Sequence, residues 1–118
     1  MNYNYIIICL IMIGFDIVTG WMKAIYHGDF KSSAMRHGLL AKVAEMLILF
    51  LMYIFEYMLP KINIDLGLPV VAIVGTYIVI MELSSVIENI GAINPQLSTK
   101  LSTIFADFIK NEKGEDKE

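Results

Sequence analysis

The chain has 118 residues, 57% of them hydrophobic and 18% charged, with a formal net charge of -3 and a single cysteine. A soluble domain is about half apolar and a quarter charged. A small negative charge with no basic stretch interleaved with aromatics does not suggest a nucleic-acid partner, and Cys9 alone excludes an intrachain disulfide or a cysteine-built zinc site.

The apolar excess is gathered into three blocks, at about 3–24, 39–59 and 66–87. Each is long enough to cross a bilayer, which takes about 20 mainly apolar residues as helix. The first block is not read as a cleaved leader, because "MNYNY" carries no Lys or Arg and no small-x-small cleavage pattern precedes Asp16. A polar loop, "IYHGDFKSSAMRHG", separates the first two blocks, and a short one, "PKINID", the second and third. Ser32 and Ser33 are expected to cap the second helix, and Pro60 to end it after Leu59. The third block opens at Gly67 and Pro69, with the proline in a tolerated first turn, and ends near Asn89 and Gly91.

Beyond it, Asn94 is a natural N-cap and Pro95 a natural first helical residue. Leu97, Leu101, Ile104, Phe105 and Phe108 then recur at helical spacing, with Lys100, Thr103, Asp107 and Lys110 on the other faces. This amphipathic helix, about 95–110, is expected to lie in the headgroup region or against a partner helix. The tail from 111 to 118, "NEKGEDKE", is charged and mixed in sign and is expected to be disordered.

Lysine and arginine are retained on the cytoplasmic side of a membrane. Lys23, Lys31, Arg36 and Lys42 flank the first loop and Lys100, Lys110, Lys113 and Lys117 follow the third block, whereas the second loop holds only Lys61. The expected architecture is an all-α membrane protein of three transmembrane helices plus the C-terminal amphipathic helix, N-terminus outside and C-terminus cytoplasmic.

Ionisable residues interrupt the blocks. A carboxylate at a helix centre costs about 2.5 to 3.5 kcal/mol on insertion, against roughly 0.3 to 0.6 returned by each Leu, Ile, Val or Phe. Asp16 therefore needs a polar partner, and helical spacing suggests where. Met12, Asp16, Gly20, Lys23 and His27 line one stripe, in which Gly20 and Ala24 form a small-x-x-x-small pair that permits close helix approach. Lys42, Glu45, Leu49, Met52 and Glu56 line a second, and Ala72, Gly75, Thr76, Val79, Glu82, Ser85 and Asn89 a third. By helical rise, Asp16, Glu45 and Glu82 each sit about 8 to 12 Å from the cytoplasmic end of their helices, in one layer. Lys42 and Glu45 can pair at i, i+3, while the N-terminal lean of side chains aims Asp16 and Lys42 apart.

Two arrangements satisfy such residues: one compact three-helix monomer, or stripes that meet between subunits or line water. Three small helices offer little interior for three acids, which favours oligomers. His27 and His37 read as solvated or headgroup-facing rather than as metal ligands, and the eight methionines as apolar filler. "SSVIEN" has no histidine near it in the chain to pair with a nucleophile, no Gly-rich phosphate loop occurs, and neither an enzyme nor a cofactor is expected.

In "FDIVTGWMKAIYHGDFKSSAMRHGLLAKVAEM", Asp16, Gly20, Ala24, Ser32, Ser33, Gly38 and Lys42 fall in a recognisable order, and "MELSSVIENIGAINPQLSTKL" adds Glu82, Ser85, Glu88 and Asn89 ahead of a short amphipathic helix. In these blocks, and over residues 15–108, the chain resembles the toxin-secretion/phage-lysis holin family. The resemblance implies a holin-like membrane domain over residues 1–110, multi-pass in the bacterial cytoplasmic membrane. It implies a homo-oligomer that forms lesions in that bilayer, with a cell-wall hydrolase (endolysin) or an exported toxin as functional partner. An ion or proton pathway subunit, and a non-permeabilising adaptor or antiholin, stay open as alternatives; the lack of positive charge in "MNYNY" speaks against an antiholin.

Overall fold

A computed structural model describes residues 3–115. Four α-helices follow one another: α1 Asn4–His27, α2 Ser32–Met58, α3 Val70–Ile93 and α4 Pro95–Glu115. A 3-10 turn, Leu59–Ile62, extends α2. No strand occurs among the described residues. Three helical segments, Asn4–His27, Ser32–Ile62 and Val70–Ile93, are long and apolar enough to cross a membrane.

The helices outrun the apolar blocks where the flanking sequence can still be helical. α2 begins at Ser32 rather than near residue 39, and the two serines do not cap it. The N-cap is Lys31, which makes no side-chain capping bond, and its carbonyl accepts the Met35 N–H at 3.1 Å. Pro69 precedes α3 instead of sitting in its first turn, and its carbonyl accepts the Ile73 N–H at 3.0 Å. α3 continues past Asn89 and Gly91 to Ile93, and α4 runs past Lys110 to Glu115; residues 116–118 lie outside the described residues. Pro60 sits in the first turn of the 3-10 segment, where its missing N–H is tolerated, and Asn63 ends the segment with φ 62°.

Most helix–helix contact joins α1 to α3, which run parallel, with α2 antiparallel to both and held by fewer contacts. One reason for the close α1–α3 approach is Gly75. A Cβ there would lie 2.8 Å from Cδ1 of Tyr5, a distance that only glycine avoids. The Cys9 thiol donates to the Gly75 carbonyl across the same contact, at 3.7 Å.

The molecule is inside out relative to a soluble protein. Phe15, Leu40, Leu47, Phe50, Tyr77 and Ile80 are exposed, while Asp16, Thr19, Glu82 and Asn89 are buried. That is the distribution lipid requires, since an apolar side chain gains nothing by leaving hydrocarbon and a polar one gains a great deal. At the end of the bundle away from the α1–α2 linker, Cys9, Leu49, Tyr53, Val71 and Ile78 form an apolar core, and Tyr3 stacks on Tyr53 with ring centroids 6.2 Å apart.

α4 leaves the bundle sideways. The Cα atoms extend 54 × 53 × 16 Å. Three helices packed 8–10 Å apart are only about 20 Å across, so the second long dimension needs most of the length of α4, about 32 Å for its 21 residues. The corner is built by Asn94, whose Oδ1 accepts the Leu97 N–H at 3.3 Å, and by Gly91. A Cβ on Gly91 would meet Ser98 Oγ at 2.8 Å and Ser98 Cβ at 2.9 Å. α4 therefore turns away from the bundle at the level of the α1–α2 linker, in contact with α3 alone among the described helices, with Leu97, Ile104, Phe105 and Phe108 exposed and Leu101 half-buried.

Candidate functional site

The buried polar residues come together where α1, α2 and α3 meet. Lys42 of α2 is the hub. Its ammonium donates to both carboxylate oxygens of Glu82, at 2.7 and 2.8 Å, and lies 2.5 Å from Asp16 Oδ2. Glu45, one turn further along α2, is 3.7 Å away through Oε1, and its Oε2 is buried without a hydrogen-bond partner. Asp16 and Lys42 lean in opposite directions along their antiparallel helices, yet they meet, because the four-carbon stem of lysine covers the offset.

Asp16 is held from α3 as well. Its Oδ1 accepts the Ser85 hydroxyl at 2.7 Å and the Asn89 amide at 2.9 Å. The Asn89 amide also donates to Thr19 Oγ1 at 3.1 Å, and the Thr19 hydroxyl donates to the Phe15 carbonyl at 2.7 Å. The spacing on each helix makes this possible: Asp16 and Thr19 are three apart on α1, Lys42 and Glu45 three apart on α2, and Glu82, Ser85 and Asn89 share one face of α3. Glu82 is 0% exposed and Asp16 6%, so each carboxylate depends on these partners rather than on solvent.

Other residues marked in the sequence stand around this cluster. Gly20 abuts Asn89, with room for a Cβ 3.7 Å from Asn89 Nδ2. Gly20 and Ala24 line an open cleft of about 310 Å³ that reaches Asp16, Lys42, Ser85 and Asn89. Gly75 lies away from the cluster, in the contact with Tyr5. Thr76 is exposed and joins neither. The inward stripe of α1 is Cys9, Ile13, Asp16 and Thr19, turned by one residue from Met12, Asp16, Gly20, Lys23 and His27; Lys23 and His27 are exposed. Thr19 was the member missed, although its place three residues after Asp16 puts it on the same face.

Three small helices thus do hold three acids in one chain. They do so because the cluster supplies its own cation and because α1 and α3 pack closely enough to bury it. The chemistry available is ion pairing, hydrogen bonding and hydration. Among the described residues no group of three or more His, Cys, Asp or Glu side chains is arranged to hold a metal ion.

Searches of the curated proteins and of the solved structures give no match. The model of the bacteriophage holin family matches residues 2–110, which take in the three bilayer-length helices, the buried cluster and most of α4. The chain belongs to the bacteriophage holin family, whose members are multi-pass, non-enzymatic membrane proteins.

Proposed function

We propose that the protein is a working holin. It accumulates in the bacterial cytoplasmic membrane with its N-terminus outside and C-terminus inside, then oligomerises into lesions that depolarise or permeabilise the membrane. The lesions release or activate a cell-wall hydrolase; an exported toxin is the other cargo of the same hole. The charge asymmetry supports this orientation, and α4, at the level of the α1–α2 linker, would then lie along the cytoplasmic headgroups through Leu97, Leu101, Ile104, Phe105 and Phe108.

The observation that carries the reading is a polar cluster in which Asp16, Lys42 and Glu82 find their partners inside one chain, beneath a largely apolar exterior. Such a monomer is stable in lipid, so it can accumulate without harm. α2 carries the cation and is the least tightly packed of the three helices. Exchange of α2 between neighbours keeps every Lys42 pair while opening the space between subunits to water. Asp16, Gly20, Ala24, Lys42, Glu45, Gly75, Thr76, Glu82, Ser85 and Asn89 are the proposed intramembrane and inter-subunit surface.

The test is induced expression in a bacterial host, following culture density together with a membrane-potential dye. Sudden depolarisation after a fixed delay, with Asp16→Leu and Glu82→Leu shifting that delay, supports the reading. High accumulation with the potential intact overturns the autonomous hole-former and leaves an adaptor or antiholin. A slow leak that growing cells tolerate leaves an ion or proton pathway subunit.

A further inference from the structure

The cleft that reaches the cluster runs inward from the α1–α2 linker. Asp29 and Lys31 stand at its mouth, in the α1–α2 linker, and Asp16, Lys42, Ser85 and Asn89 at its inner end. Its volume of about 310 Å³ is that of about ten water molecules at about 30 Å³ each, and buried water needs two to four polar partners. Both ends provide them. Lys42, at the junction, keeps 20% of its side chain exposed, while Glu82 beyond it keeps none.

Past Glu82 the interior changes character. Ile78, Leu49, Cys9, Tyr53 and Val71 pack into the apolar core, and from Glu82 to Val71 helix α3 advances about 16 Å. An opening at the far end, between Tyr5, Glu56 and Tyr57, reaches Tyr53, Val71 and Ala72 and shares no lining residue with the first.

We propose that the cleft is a water-filled half-channel, open to the compartment that the α1–α2 linker faces, through which water and protons reach the Asp16–Lys42–Glu82 cluster from that side alone. The apolar core is the plug that completes the barrier. This requires that the three helices span a bilayer; it does not require that they ever form a lesion. In the assembled state the half-channel is the ready source of water for the cluster, and only the plug remains to be parted.

Thiol labelling tests this in resting, polarised membranes, before any depolarisation. Charged membrane-impermeant reagents modify a cysteine only where water reaches it as thiolate. Ser33→Cys, exposed at the linker end, and Ile64→Cys, exposed beyond α2, report which side each reagent reaches, in a Cys9→Ala background. Ser85→Cys and Gly20→Cys, both within the cleft, are expected to label from the Ser33 side and to lose all labelling from the Ile64 side. Native Cys9, 0% exposed within the plug, is expected to label from neither side. Gly20→Cys stands in should Ser85→Cys fail to accumulate, since its Cβ finds ordinary contact distance. Absence of labelling at both cleft positions from both sides overturns the proposal, because the cleft is then dry or filled by lipid. Labelling of Cys9, or of either cleft position from the Ile64 side, overturns it too, because the path is then continuous. Neither result bears on whether induction kills the cell, so the half-channel and the lesion can fail separately.

Discussion

Replacing Lys42 by methionine removes the charge and keeps most of the stem, so the expected effect comes from the ion pairs rather than from a cavity. In the native bundle this one ammonium serves Asp16 at 2.5 Å and Glu82 at 2.7 and 2.8 Å, with Glu45 at 3.7 Å. Removing one partner of a buried pair costs about 3–5 kcal/mol, because the other partner stays buried without compensation. Here the buried Asp16 and Glu82 lose their cation and Glu45 its more distant one, but the partial exposure of Lys42 moderates the loss, so the lower half of that range applies. At about 4 °C per kcal/mol for a chain of this size, the expected fall in unfolding temperature is about 12 to 16 °C. Size-exclusion recovery after heating in a mild detergent measures it. Lys23→Met, at an exposed position on α1, is the control and is expected to fall by no more than about 2 °C. Neutralising Lys42 together with its two most buried partners, as Asp16→Asn, Lys42→Met and Glu82→Gln, is expected to recover most of the loss, since uncharged hydrogen-bonding groups of the same shape need no counter-charge. A Lys42→Met chain as heat-resistant as the native one, or a triple variant no better than the single, would refute the reasoning.

Asn89→Leu removes the amide that ties Asp16 to Thr19 and is expected to cost about 1–3 kcal/mol in the same assay, with Thr19→Ala costing less because Ser85 and Lys42 still hold Asp16. Gly75→Val forces its side chain into the Tyr5 ring, and is expected to separate the N-terminal halves of α1 and α3 and to lower stability by about 1–3 kcal/mol; Tyr5→Ala in the same chain should restore part of it. Gly91→Val collides with Ser98 and is expected to swing α4 out of its sideways course while leaving the bundle intact. Spin-label distances between α1 and α4, unchanged by the substitution, would contradict that account of the corner.

The gross architecture was legible because lipid imposes it: runs of about 20 apolar residues have few other uses. The cluster was legible for the opposite reason, since charges within such runs are conspicuous. Asp16, Lys42, Glu45, Glu82, Ser85 and Asn89 stand out wherever an intramembrane polar residue is weighed at its cost. Thr19 did not, because a threonine in a span can satisfy itself on its own helix, as its bond to Phe15 does. Nor did the plug. Cys9, Leu49, Tyr53, Val71 and Ile78 are apolar residues among apolar residues, and facing lipid or facing protein leaves no periodic mark on them. The inward face of α1 was misplaced by one residue because Lys23 and His27 were weighted with the stripe, while both sit exposed near the helix end.

The partners that Asp16 and Glu82 find within one chain were not legible from spacing, while Glu45 Oε2 stays buried without one. Sequence spacing ranks residues along one helix, but Lys42 answers Asp16 and Glu82 across two others, at separations of 26 and 40 residues that no periodicity connects. The same geometry makes the proposed exchange between subunits inexpensive. In that proposed exchange α2 would find an identical Asp16 and Glu82 on a neighbouring α1–α3 pair. Ion pairing would then be conserved between monomer and assembly, and the balance left to terms that grow with protein density in the membrane: helix packing at the exchanged surface, and hydration of the cluster. On the proposed reading, a bundle built this way is stable while dilute and acquires neighbours to exchange with only as it accumulates, which would set a threshold in concentration.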